Sequence, residues 1–187
     1  MDGGSSDGTQ EAARRAGAAV AVVPGTRAEA MNAGAQLATG DALLFLHADT
    51  TLPAGAGEAV RDALERADGG AFRLRYDDGR PVLQALTNVR LRCLEPTYGD
   101  QAIFLTRAAF DRLGGYRRLP IMEDYDLVLR LRRQGRFVLL PLEVETSARR
   151  HRRSGTPATL ARIWAIQWLY RAGVPARWLA RAYPPAR

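Results

Sequence analysis

Apolar and polar positions alternate in blocks along the chain, and the blocks predict its elements. Residues 18–24 (AAVAVVP) are short, apolar and rich in valine, which predicts a buried strand. Residues 27–38 (RAEAMNAGAQLA) are rich in helix formers and stop before Gly40, which predicts a helix. Residues 41–49 (DALLFLHAD) form a strongly apolar run with a polar end, as a central strand does. Ala59, Val60, Ala63 and Leu64 recur at helical spacing within residues 55–67, and residues 70–77 (GAFRLRYD) alternate as a strand should. A helix is expected over residues 81–94, with Pro81 near its first turn, then a strand over 101–106 and a short helix closed by Gly114. Residues 123–135 (EDYDLVLRLRRQG) predict a helix with a glycine stop, and 136–149 read as a strand.

Strand–helix alternation of this kind predicts an α/β fold with a mixed, mostly parallel sheet covered by helices on both faces. Ligands in such sheets sit beyond the carboxyl ends of the strands. There are no internal repeats and no low-complexity linker. Two amphipathic stretches end the chain. Leu160, Ile163, Trp164, Ile166, Gln167, Trp168 and Tyr170 share one helical run, and Trp178 and Leu179 a second, with Arg162, Arg171, Arg177 and Arg181 among them. Two readings are open for these aromatics: packing on the body of the domain, or the headgroup boundary of an anionic membrane.

At 187 residues the chain is long enough to bury a core as one domain. A single cysteine, Cys93, excludes an internal disulfide and fits a reducing compartment. No charged-then-apolar leader opens the chain, and no run reaches the roughly 18 apolar residues that span a bilayer. The expectation is a cytoplasmic protein, with a peripheral place at the inner face of the membrane as its further option. All 27 basic residues are arginine. The formal net charge of +7 is unevenly spread, because residues 136–187 hold ten arginines against Glu143 and Glu145 alone. That segment either is a solvated basic face or is attracted to the phosphates of a nucleotide or a membrane.

Four polar clusters fall where ligands of an α/β sheet bind. Asp2 and Asp7 bracket a Gly/Ser turn (DGGSSDGT), Asp49 ends the strand LLFLHAD, YGDQ (98–101) precedes a strand, and MED (122–124) opens a helix. Singly, each has a bland reading: acids at a helix start favour the dipole, and Asp49 suits a cap or turn. Together and in this order they suggest chemistry on a phosphorylated substrate. A hard divalent cation wants carboxylate oxygens and leaves positions open for phosphates. Asp49 is the candidate ligand, with His47 two residues before it on the same strand face. Asp124 is the candidate general base for an attacking hydroxyl.

The ordered motifs DGGSSDGT, RAEAMNAGA, GDALLFLHADT, GDQAIF, MEDYDLVLRLRRQGR and TSARRHRRSG resemble those of glycosyltransferase family 2. They are most similar to its small bacterial subgroup of arsenosugar-biosynthesis-type transferases. The resemblance implies a GT-A-like fold and an inverting transfer of a sugar from a nucleoside-diphosphate sugar to an acceptor hydroxyl, assisted by Mg or Mn. It implies nucleotide contacts from Asp2, the turn Gly3 to Asp7, and Arg27. His47-Ala48-Asp49 takes the place of the D-x-D metal motif, with His47 where the first Asp usually stands. Asp124 takes the place of the base, with Glu123 beside it. Gly99, Asp100 and Gln101 match the loop lining donor sugar and acceptor, and Arg149, Arg150 and His151 a basic loop over the diphosphate. Residues 1–150 would form the nucleotide-sugar and acceptor domain, and 151–187 a basic helical extension packed on it or at a membrane surface. The family pattern also has a strand, a helix and a second strand ahead of DGGSSDGT, so the expected sheet lacks its first strands.

Rival readings weigh less. A nucleotidyltransferase would want a lysine for its triphosphate, and there is none. Nucleic-acid binding lacks any known motif. A catalytically impaired, truncated homologue that binds a nucleotide or a membrane surface stays the alternative to the enzyme. The oligomeric state is not legible.

Overall fold

The computed structural model describes residues 1–79, 99–149, 152 and 156–182. The helix expected over 81–94, Tyr98, Arg150 and His151 lie outside them. In chain order the described elements are α1 (Thr9–Arg15), α2 (Arg27–Leu37), β1 (Ala42–Phe45), β2 (Thr50–Thr51), α3 (Ala56–Leu64), β3 (Gly69–Tyr76), a 3-10 turn (Gly99–Gln101), β4 (Ile103–Thr106), α4 (Arg107–Arg112), α5 (Glu123–Gln134), β5 (Phe137–Thr146), α6 (Thr156–Arg171) and α7 (Ala176–Ala182).

The strands form one sheet in the order β1-β4-β3-β5-β2. Alternation along each strand sends side chains to opposite faces, and both faces are covered. Leu43, Phe45 and Leu105 point to α2, α4 and α5, meeting Ala28, Ala35, Ala109, Phe110, Leu127 and Leu131. Phe72, Leu74, Phe104 and Val144 point the other way, to Ala56, Val60 and Ala63 of α3. A third cluster of Met122, Tyr125, Ile166 and Leu179 fastens α6 and α7 to α5.

The expected mixed sheet is present, but its pairing is less parallel than the alternation predicted. Among the described strands of the sheet only β3 and β5 pair in parallel, while β1–β4, β3–β4 and β2–β5 are antiparallel. Hydrophobic alternation fixes which faces are buried and carries no information on strand direction. Close packing of β4 on β3 depends on glycine. A Cβ on Gly69 would lie 2.6 Å from the Phe104 carbonyl oxygen, and one on Gly70 2.6 Å from the Phe104 ring.

The strand expected over 18–24 is reduced to one parallel bridge between Asp2 and Val22. The strand expected over 41–49 ends at Phe45, so His47 and Asp49 lie beyond its carboxyl end.

Candidate functional site

Each side chain of the candidate site is placed by an element end. Thr26 caps α2 in a reciprocal box: its hydroxyl accepts the Glu29 amide (3.3 Å) while Glu29 accepts the Thr26 amide (2.9 Å). That sets Arg27 in the first turn. Asp49 is exposed in the turn between β1 and β2. Met122 takes a left-handed conformation, φ 68°, ahead of α5, and Glu123, Asp124 and Asp126 occupy its first turn, where carboxylates favour the helix dipole.

These ends converge. A cavity of 1090 Å³ is lined by Arg27, His47, Asp49, Asp100, Glu123, Asp124 and Arg149. Its apolar walls include Met31 and Ala35 of α2, Leu43 and Phe45 of β1, and Leu160, Ile163 and Ile166 of α6.

Asp124 is held from two sides. Its Oδ2 accepts the Gly99 amide at 2.7 Å, and its Oδ1 accepts the Tyr125 amide at 2.7 Å. Gly99 is the meeting point of the site. A Cβ there would run into the His47 ring at Nε2 and lie 3.1 Å from Asp124 Oδ2, so a side chain would displace the imidazole and crowd the carboxylate. The imidazole and the carboxylate thus flank one backbone position.

Glu123 is only 3% exposed, with Oε1 3.2 Å from Nε of the half-exposed Arg27. Burial and then the neighbouring Asp124 charge push the Glu123 carboxyl above the usual range, with Arg27 opposing them. Tyr116, packed edge-on against Phe45 at 4.9 Å, has its phenol pushed well up by burial and by Asp124 and Glu123.

Two residues after Asp124 in the same turn of α5, buried Asp126 accepts from Arg130 Nε (2.7 Å), the Tyr170 hydroxyl (2.9 Å) and Arg117 (3.2 Å). Arg130 also donates to the carbonyls of Leu113 and Gly115. This network ties α6 and the 113–117 loop to the helix bearing Asp124.

The remaining sequence candidates lie apart from the cavity walls. Asp2 spends its carboxylate on its own loop: it accepts the amides of Gly4 and Ser5 (2.8 Å each), the Ser5 hydroxyl (2.6 Å) and Gln10 (2.9 Å). These donors, the Ser5 hydroxyl foremost, lower its pKa to about 2. Asp7 accepts the Thr9 hydroxyl and amide, which lower its pKa too. Gly3 adjoins this loop in the open, with nothing within 4 Å of a Cβ placed on it. Gln101 is fully buried and donates to the Phe72 carbonyl at 3.0 Å. The sequence reading missed the wall contributed by α6, although Leu160, Ile163 and Ile166 recur at helical spacing and carried that signal.

Among the described residues, no three His, Cys, Asp or Glu side chains are gathered so as to hold a metal ion. Of the carboxylates that line the cavity, Asp49 is the exposed one, with an imidazole two residues away. That set fits a cation such as Mg²⁺ or Mn²⁺ that binds through one or two protein groups and keeps waters or substrate phosphates as its other ligands.

Residues 1–118 match the family model described as "Glycosyl transferase family 2". Among solved structures, the chain is similar to the mannosyltransferase PcManGT from Pyrobaculum calidifontis in complex with GDP-Man and Mn2+, at 21% identity and a TM-score of 0.60. That alignment covers 100% of this chain and 55% of the other, so this chain spans about half the length of that protein. No curated protein matches. The fold is of the GT-A glycosyltransferase type. With more than half of its residues matched, the chain belongs to glycosyl transferase family 2.

Proposed function

We propose that this chain transfers a sugar, with inversion, from a nucleoside-diphosphate sugar to an acceptor hydroxyl. The observation that carries the reading is the meeting of Asp49, Asp124, Arg27 and Arg149 around one cavity, from four separate parts of the chain.

Asp124 serves as general base. Its two backbone hydrogen bonds fix the carboxylate, and each oxygen retains acceptor capacity. The acceptor oxygen attacks the anomeric carbon and gives its proton to Asp124, while the bond from that carbon to the diphosphate breaks. Attack opposite the leaving group inverts the anomeric centre. Arg27 and Arg149 neutralise charge on the departing diphosphate. A divalent ion held by Asp49, with His47 beside it, would supply further neutralisation of the same charge. The GDP-Man and Mn²⁺ bound by the similar mannosyltransferase are the first donor and cation to try. Asp2, Gly3, Asp7, Asp100 and Gln101 shape the surrounding loops on this reading. The resemblance of the motif series to the arsenosugar-biosynthesis-type subgroup is what supports assigning the chain to that subgroup within the family.

The test is Asp124→Asn. Turnover should fall roughly 100-fold or more, the usual scale for losing a general base, with nucleotide affinity kept. An equal loss of affinity would assign Asp124 to building the site.

A further inference from the structure

We propose that the outward face of α6 and α7 is a docking surface for an anionic lipid bilayer. This inference stands apart from the transfer chemistry and rests on a different part of the molecule.

Two stripes run along α6. At 100° per residue, Thr159, Ile163, Ile166, Gln167 and Tyr170 cluster on one side, and these residues are buried or half-buried against the body. Ala161, Trp164, Ala165 and Trp168 fall on the opposite side, in a stripe about 100° wide, and all are exposed. Arg162 and Arg171 lie at the two edges of that stripe. The helix thus carries an aromatic and small-residue stripe, flanked by arginines, on the side that the body does not cover. On α7, Ala176 and Leu179 are buried while Arg177, Trp178 and Arg181 are exposed.

The exposures are large. Trp168 is 65% exposed, Trp178 52% and Leu169 46%. All three tryptophans of the chain lie on these two helices. They account for much of the large exposed apolar surface among the described residues, where scattered single side chains would need no explanation.

Charge selects the occupant. Neither helix contains Asp or Glu, whereas Arg162, Arg171, Arg177 and Arg181 are all exposed. A second copy docked face to face would set arginine against arginine. Anionic headgroups complement the arginines, whose stems lie along apolar surface while the guanidinium reaches outward. Arg181 shows that geometry already, with its guanidinium 4.6 Å over the Trp178 ring. Tryptophan is the side chain that partitions best to the headgroup–acyl boundary. No described helix is long and apolar enough to cross a membrane, so this surface lies on one. Because Leu160, Ile163 and Ile166 line the cavity, the bilayer surface would stand one helix diameter, about 10 Å, from the candidate site.

Intrinsic fluorescence reads the claim directly, because every tryptophan sits on the proposed face. The full chain is titrated with vesicles of phosphatidylcholine, with and without about 30% phosphatidylglycerol, at about 0.1 M and about 0.5 M salt. A blue shift with co-sedimentation is expected for the anionic vesicles, and weakening at the higher salt. Trp164→Ser with Trp168→Ser should weaken binding at least roughly tenfold. Circular dichroism should be unchanged, and Trp168→Ser alone, at a side chain 65% exposed, should weaken binding with the melting temperature unchanged. Arg162→Gln with Arg171→Gln should lower binding and its salt dependence together. The proposal is overturned if neither vesicle shifts the emission, or if neutral vesicles bind as well as anionic ones. It is overturned too if light scattering shows a dimer that the tryptophan substitutions dissolve, or if single-stranded DNA quenches the tryptophans while vesicles do not.

Discussion

The pair Arg27–Glu123 makes a test whose sign is set by burial. Glu123 is 3% exposed and faces a half-exposed guanidinium on α2, its own neighbour Asp124, and the Tyr116 phenol. Burial and Asp124 raise its folded pKa above the ordinary carboxylate value. The folded state therefore binds this proton more tightly than the unfolded state does. Stability from the group is present at low pH and is lost as pH rises through the raised folded value. At pH 8 the charged form is a burden that Arg27, and after it a backbone hydrogen bond, offsets. Glu123→Gln keeps the shape and removes the charge, while the solvated Arg27 loses little. We expect this variant to match or exceed the parent by up to about 1 kcal/mol at pH 8. The difference should shrink as pH falls toward the ordinary carboxylate range. Arg27→Met leaves the buried carboxylate alone. Losing one partner of a fully buried pair costs about 3–5 kcal/mol, and the half-exposure of Arg27 brings this to about 1–3 kcal/mol. At about 2–4 °C per kcal/mol for a chain of this size, the melting temperature drops by several degrees. In the Glu123→Gln background, Arg27→Met should cost almost nothing. Thermal unfolding of the four proteins, followed by circular dichroism at pH 8 and pH 5, completes the double-mutant cycle. A loss above about 2 kcal/mol for Glu123→Gln at pH 8, or a difference independent of pH, would refute the reasoning.

Two further outcomes follow from the site. Asp49→Ala should abolish stimulation of donor hydrolysis by Mg²⁺ or Mn²⁺ while the melting temperature holds, and Asn should be nearly as harmful because it lacks the charge a hard cation needs; metal stimulation kept in the alanine variant would remove Asp49 from the site. Gly99→Ala must turn the His47 ring aside and press on the Asp124 carboxylate, so it should lower turnover with little loss of stability, whereas unchanged kinetics would show that this contact does not position either group.

Local periodicity made much of the fold legible. The helices at 27–38 and 123–135 and the strand at 70–77 fall within a residue or two of α2, α5 and β3. Each has a clear stripe or alternation and a cap or stop. α1 was not foreseen because none of its residues is buried, so it shows no apolar stripe. β2 is two residues long, too short for any pattern. Strand direction was not legible, since it is set by which strands pair across the sheet and not by local pattern.

The site divides in the same way. Asp49, Asp124 and Arg27 follow strand and helix ends, which local patterns mark, and all three line the cavity. Gln101 sits in the same motif as Asp100, yet the 3-10 turn buries it against Phe72. The carboxylate of Asp2 is taken up by its own loop, which a motif cannot reveal. The aromatics at 164 and 168 were grouped with Ile166 and Tyr170 in one run. The body selects one side of that run and leaves the other outside.

The central claim is that the cavity around Asp49 and Asp124 handles a nucleoside-diphosphate sugar. The most direct measurement is release of nucleoside diphosphate from a panel of such sugars, with Mn²⁺ or Mg²⁺, by the chain and by its Asp124→Asn variant, with nucleotide binding followed by calorimetry. The account predicts that both proteins bind nucleotide and that only the parent releases it from the sugar at an appreciable rate. Release at equal rates by both, or binding of nucleotide by neither, would contradict it.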